Sequence, residues 1–302
     1  MLSNMFFLHM LRCSGHKFGD QQYKKSVGLI YGPTGCGKTY LVETLAKITG
    51  LPYMKLAAKS ITNSGYKGKN LEEHLKDYIN NNSDNPNLDY GIIHIDEYDK
   101  LCIPSGSEKS WNDSLQMNLL NFIEGQEFNI GRSTFSSRNL FIILTGSFSH
   151  LKSERAAEDK SLATGFAASK KVQDKKTVQQ LLIDGGMIRE VVGRVSYISK
   201  VEKLTLEQAK DAFLNKKDSI YSQYQELLKT FVGDKAKLSD ERVDELIKNC
   251  IDSNIGIRGL HYALERELQE IIFSIDSNGK PELAIIDQPL HVEDDEGDEY
   301  EQ

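Results

Sequence analysis

The chain has 302 residues, 39% hydrophobic and 27% charged, the composition of a folded protein long enough for two domains and not of a disordered chain. Its formal charge of −7 comes from its end, because seven of the 44 acids lie in residues 293–302, which hold no Lys or Arg. The rest of the chain is neutral, so nothing in its overall charge argues for binding to nucleic acid, and the acidic end reads as a solvated tail.

The apolar run at 5–11 is broken by His9 and has no basic leader before it or small-residue cleavage pattern behind it. A membrane helix needs roughly 20 apolar residues, so neither a membrane span nor a secretory signal is expected. Cys13, Cys36, Cys102 and Cys250 are scattered, with no Cys-x-x-Cys pair and no nearby His at metal-ligand spacing. They predict neither a zinc site nor a disulfide framework, and point to a reducing, cytoplasmic compartment.

In chain order, residues 27–31 form a short apolar run that ends in a glycine-rich turn, and Leu41, Leu45 and Ile48 then keep helical spacing as far as Gly50. That pattern is strand, loop and helix. A second strand is predicted over 51–56, a polar segment over 59–70, a helix over 71–79 and a loop over 80–89. Residues 91–95 and 140–144 read as buried strands, with a helix over 111–124 between them. Strands alternating with helices predict an α/β fold with a parallel sheet. Beyond residue 200 the patterns turn amphipathic and helical, over 204–231, 239–251 and 259–275, with one short strand at 283–286. The expected organisation is a short N-terminal segment (1–25), a nucleotide-binding domain (26–200), a smaller, mostly helical domain (201–290) and the acidic tail (291–302).

The chemistry concentrates at Gly32-Pro33-Thr34-Gly35-Cys36-Gly37-Lys38-Thr39, a complete phosphate-loop pattern. Its glycines let backbone N–H groups turn inward around phosphates, Lys38 neutralises β and γ charge, and the Thr39 hydroxyl suits Mg²⁺. With Tyr40 following, these residues form the expected nucleotide contacts. The strand at 91–95 delivers Asp96 and Glu97 to its C-terminal end, beside that loop. Asp96 can hold the Mg²⁺ shell and Glu97 can polarise an attacking water. A kinase needs no activated water, so the acid pair favours hydrolysis. His94, inside the strand, is expected to be a packed, hydrogen-bonded histidine.

Asp96-Glu97-Tyr98-Asp99-Lys100 resembles the Walker B signature of the ClpX/HslU branch of AAA+ ATPases, Ile-Asp-Glu-Ile-Asp-Lys, and the resemblance runs from about 28 to 273. It implies a P-loop AAA+ large domain followed by a smaller helical one, binding of ATP and Mg²⁺, and a ring, a hexamer, that unfolds protein substrates. The segment from Gly186 to Arg194 resembles the stretch carrying the arginine finger, which puts that role on Arg194. Gly256-Ile257-Arg258-Gly259 resembles sensor 2 and assigns a nucleotide contact to Arg258. Thr145 falls in the sensor-1 region. Gly65-Tyr66-Lys67-Gly68 resembles the aromatic pore loop, so Tyr66 and Lys67 are expected to grip substrate, and Lys67 with Lys69 would bias that grip toward acidic segments.

The chain departs from the family in four places. The N-terminal zinc-binding domain has no counterpart among the cysteines. The Ile-Gly-Gln segment that contacts adenine is not found in the 31 residues before the loop, so adenine is implied by resemblance alone. The peptidase-docking Ile-Gly-Phe reads Thr164-Gly165-Phe166, which leaves a peptidase partner open. The second pore loop, between 125 and 139, is short, and Arg132 is its only base before Arg138. Two other functions stay open: a nucleotide-switched scaffold that dismantles a complex without threading, and a DNA-associated motor, against which the neutral charge weighs.

Overall fold

A computed structural model describes residues 2–18, 21–22, 25, 27–61, 69–131, 133–149, 151, 176–214, 219–232, 240–252 and 257–273. Helix α1 (Leu2–Cys13) and a small hairpin, β1 (Lys17–Phe18) with β2 (Gln21–Gln22), come first. Then follow β3 (Val27–Tyr31), α2 (Lys38–Thr49), β4 (Tyr53–Ala57), α3 (Leu71–Asn81), β5 (Ile92–Asp96) and α4 (Lys109–Glu124). A second hairpin, β6 (Glu127–Ile130) with β7 (Ser133–Ser136), leads to β8 (Phe141–Gly146), α5 (Val178–Asp184), α6 (Arg189–Val192) and β9 (Val195–Lys200).

Five of these strands make one sheet in the order β4-β5-β8-β3-β9, with every neighbouring pair parallel. β3 and β8 are buried along their whole length, as near-continuous Val/Ile/Leu runs covered on both faces should be. One face, with Leu29, Ile93, Ile95 and Leu144, packs in the same core as residues of α3 and α4. The other, with Ile30, Ile92, Phe141 and Ile143, packs with α1 and α2. The N-terminal stretch is therefore more than the short segment its sequence suggests. Met5 is buried in this second core, and the Phe6 ring meets Phe141 edge-on at 5.3 Å.

The chain divides into two compact units, one of residues 1–33 and 37–202, the other of Thr34–Cys36 with the chain beyond Glu202. The second contains α7 (Leu206–Leu214), α8 (Ile220–Val232), α9 (Asp240–Asp252) and α10 (Ile257–Phe273), built around a core that includes Phe213, Tyr224, Ile247 and Leu264. The helical pattern predicted as one run over 204–231 is two helices, α7 and α8. The strand expected at 283–286 and the acidic tail lie outside the described residues. Among the described residues no helix is long and apolar enough to cross a membrane.

Gln116, a wholly buried polar residue of α4, orients the segment leading into α6. Its amide donates to the carbonyls of Leu101 (3.1 Å) and Gly186 (3.0 Å), and its carbonyl accepts from the Ile188 N–H (3.1 Å). The chain passes so close here that a Cβ on Gly186 would lie 2.5 Å from the Ile103 carbonyl carbon, and Gly186 has φ +97°. Gly186→Ala should therefore cost about 3 kcal/mol, from left-handed strain plus a clash with backbone that cannot rotate away. The expected result is a melting temperature lower by roughly 6–12 °C. An unchanged thermal melt would contradict this close approach.

Candidate functional site

The parallel register gathers the site at one edge. Tyr31 pairs with Gly146, Ile95 with Leu144 and Ala57 with Asp96, so the C-terminal ends of β3, β8, β5 and β4 lie side by side. Because β3 is inserted between β8 and β9, the loop leaving it emerges where the strand order reverses, the usual position of a ligand crevice in an open α/β sheet. The Gly32 N–H is anchored on the Gly146 carbonyl at 3.2 Å. Gly35 (φ 74°) and Gly37 (φ 89°) then take left-handed conformations that curl the loop inward. Gly37, the N-cap of α2, makes no side-chain capping hydrogen bond, and the N-terminus of a helix is where an anion binds. Lys38 folds back over the loop, its Nζ donating to the carbonyls of Gly32 (2.9 Å) and Pro33 (2.7 Å). Cys36 is buried and Tyr40, in the first turn of α2, is exposed.

Asp96 is the centre of the polar contacts. Its Oδ1 accepts from the Thr145 hydroxyl at 2.6 Å and the Glu97 N–H at 2.9 Å. Its Oδ2 accepts from the Thr39 hydroxyl at 3.2 Å and lies 3.3 Å from Lys55 Nζ. Burial acts to raise the pKa of this carboxyl, but the Thr145 hydrogen bond, the nearby His94 and Lys55, and the Glu97 N–H together hold it below the usual carboxylate range. Behind Thr145, His94 Nε2 lies 2.7 Å from its hydroxyl, and Tyr53 OH lies 2.9 Å from His94 Nδ1. Lys55 and Tyr53 are the participants that periodicity could not reveal. They join the site through the register of β4 on β5, a long-range pairing that leaves no local pattern in the sequence.

Glu97 has φ 57° and is exposed. This left-handed turn sends the next side chain, Tyr98, back into the core, where it is fully buried, while Glu97 stays at the rim. Asp99 ties the ends of β5 and β8 together by accepting from Ser147 Oγ at 2.7 Å. Thr39 and Asp96 offer a hydroxyl and a carboxylate, hard oxygen donors suited to Mg²⁺. Among the described residues no group of three or more His, Cys, Asp or Glu is placed to hold a metal ion.

The structure brings Thr39, Asp96 and Thr145 together and places Lys38 on the loop beside them. Arg194 is elsewhere, ion-paired with Glu124 at the end of α4. Arg258 lies in the first turn of α10, and its side chain is outside the described residues. Tyr66, Lys67, Arg132 and residues 163–167 are also outside. Lys69, expected to add positive charge to the Tyr66 loop, is held by Asp77 at 2.5 Å. The hairpin β6–β7 occupies the stretch where a second pore loop was expected.

The description "ATPase family associated with various cellular activities (AAA)" matches residues 28–159. The ATP-dependent Clp protease ATP-binding subunit ClpX 2 of Wolinella succinogenes is 31% identical over 293 residues, covering 91% of this chain and 72% of its own length. The ClpX subunit of Bacteroides thetaiotaomicron is 27% identical over 310 residues, covering 94% of this chain and 74% of its own. That of Azotobacter vinelandii is 27% identical over 306 residues, with 92% and 69% covered.

Burial pushes His94 down to about 4, and burial together with the Arg12 cation does the same to His9. An unfolded histidine titrates near 6.5. Between about pH 6.5 and 4 the unfolded chain therefore takes up protons that the folded chain refuses, and stability falls as pH drops through that window. His94 contributes on the order of 3 kcal/mol to the fall. Melting temperatures measured from pH 7.5 to 4.5 should decline, and His94→Gln should flatten the decline. Parallel profiles for parent and variant would contradict this burial effect.

Proposed function

Because the chain belongs to the ClpX family of AAA+ ATPases, we propose that it works as a homo-oligomeric ring, a hexamer, in which ATP hydrolysis drives the unfolding and threading of protein substrates. The observation that supports a ring most directly is the direction of β9. It runs parallel to β3, with Val195 beside Val27 and Lys200 beside Tyr31. Arg194 therefore stands at the N-terminal edge of the sheet, and the phosphate loop leaves the C-terminal edge, about 15 Å away along β3. An arginine there, already paired with Glu124, is out of reach of its own chain's phosphates. The charge that develops on a transferred phosphoryl group calls for a cation, and the neighbouring subunit's Arg194 is the one the ring supplies.

Within one subunit the loop N–H groups and Lys38 hold the phosphates. Thr39 and Asp96 would hold Mg²⁺, which neutralises charge on the β- and γ-phosphates when bound. Glu97, at the rim, orients the attacking water, and Thr145 registers the γ-phosphate through its contact to Asp96. Arg258 is assigned to the nucleotide on resemblance alone. An apolar cavity of about 400 Å³ runs beside the start of α2 and is lined by Leu2, Met5, Tyr40, Leu41, Thr44 and Tyr197. It is of ligand-pocket size, and its wall includes Tyr40, the residue after Thr39 in the chain, so it is our proposed place for the adenine.

Tyr66 and Lys67 are the proposed substrate grip, and the pairing of Lys69 with Asp77 leaves Lys67 to carry any preference for acidic segments. The relatives are named as subunits of a Clp protease, whereas here a threonine leads Gly165-Phe166 in place of the isoleucine of the peptidase-docking tripeptide. A scaffold that dismantles a complex without threading is the second function, favoured by that same altered tripeptide. ATP-dependent unfolding of a tagged fluorescent protein separates the two. Threading predicts that Tyr66→Ala loses unfolding while ATP turnover continues. Unfolding that survives the substitution would overturn threading in favour of the scaffold.

A further inference from the structure

The contacts around Asp96 leave only one arrangement of protons. The Thr145 hydroxyl and Asp96 Oδ1 are 2.6 Å apart, too close for two oxygens without a proton between them, and an ionised carboxylate has none to give. Thr145 must therefore donate. Its oxygen is then left to accept, so the His94 Nε2 at 2.7 Å carries a hydrogen and donates it. In a neutral imidazole that makes Nδ1 the acceptor, and Tyr53 completes the chain by donating its O–H at 2.9 Å. His94 and Thr145 are both 0% exposed, so no solvent competes for these bonds. The relay crosses three adjacent strands, from Tyr53 on β4 through His94 on β5 to Thr145 on β8, and ends on the carboxylate beside the phosphate loop.

We propose that Tyr53 and His94 are positioning residues of the ATPase site: acting through Thr145, they hold Asp96 Oδ1 and so turn Oδ2 toward Thr39, where the cation of the nucleotide is bound. A threonine hydroxyl with no donor on its oxygen can rotate among its staggered wells and hand its proton to another acceptor. With Nε2–H fixed on that oxygen, the proton has one direction, and each bond of the chain polarises the next. With Thr145 and the Glu97 N–H on Oδ1, the carboxylate plane is set before nucleotide arrives. This rests on the ATPase assignment and names residues in it that neither the phosphate loop nor the acid pair includes.

The test uses the full-length protein with His94→Phe, which keeps a ring and removes the donor; His94→Gln, which restores an N–H donor; Tyr53→Phe; Thr145→Val; and the double variant His94→Phe/Thr145→Val. Two quantities are measured: ATP turnover, and the Mg²⁺ concentration that half-saturates binding of a fluorescent ADP. For His94→Phe the expectation is a kcat about tenfold lower with KM for ATP little changed, and a half-saturating Mg²⁺ concentration several-fold higher. His94→Gln should recover most of both, and Tyr53→Phe should lose about threefold in kcat. Because His94 acts through Thr145, the double variant should be no worse than Thr145→Val alone. Full additivity of the two substitutions, or an unchanged Mg²⁺ requirement in His94→Phe, would overturn the relay. If His94→Phe does not fold, Tyr53→Phe, which removes one oxygen from a half-buried ring, decides the matter by the same two readouts. A parent protein without turnover would count against the ATPase assignment instead, and the Mg²⁺ titration would still test the relay.

Discussion

One carboxylate, Asp96, is held by a hydroxyl and a backbone N–H on one oxygen and by a hydroxyl and an ammonium on the other. The rest of the structure is arranged so that this can happen. Its donors come from β4, β8, the turn after β5 and the start of α2, and only a parallel sheet delivers all of those points to a single edge. The same parallelism has an opposite consequence for Arg194. Placed one residue before β9, it is carried to the far edge by the pairing that aligns β9 with β3. The fold thus gathers the contacts of Asp96 beside the phosphate loop in each chain and separates them from the chain's own arginine, which is the physical case for the proposed ring.

The polar chain behind Asp96 runs through a sheet that is otherwise aliphatic. Burying a tyrosine hydroxyl, an imidazole and a threonine there would be costly if any donor lacked an acceptor. Every bond in the chain is made, and the chain starts at a half-buried tyrosine and ends on a charge that hydrogen bonds hold ionised. Around it, α1 and α2 cover one face of the sheet. Helix α1 lies close enough that a Cβ on Gly28 would fall 2.3 Å from the tip of Met5, so the glycine at the second position of β3 is part of how the first helix seats itself.

What could be read from the sequence and what could not divides along the distance between partners. The phosphate loop, the acids after β5 and the alternation of strand and helix are local patterns, and the parallel sheet follows from them. β9 escaped because only its first residue, Val195, is buried, and its sequence at the sheet edge carries no continuous apolar run. α1 read as an isolated apolar stretch because its partners, Gly28, Phe141 and Asn139, lie far along the chain. Gln116 looks like any polar helical residue until the segment at 186–188 arrives to use its amide. His94 could be expected to be packed and bonded, but its partners Tyr53 and Thr145 are set by strand register, which no window of sequence contains.

The central claim is that the two halves of the site meet only between subunits, and mixing two inactive variants tests it directly. Lys38→Ala lacks the phosphate grip but keeps Arg194, and Arg194→Ala has the reverse defect. If Arg194 acts on the neighbouring subunit's nucleotide, each variant alone should be without ATP turnover. A mixed assembly should recover a fraction that depends on the mixing ratio, because some interfaces then pair an intact loop with an intact arginine. Mixtures that stay dead at every ratio, in assemblies shown to contain both chains, would contradict the account, as would full turnover by Arg194→Ala alone.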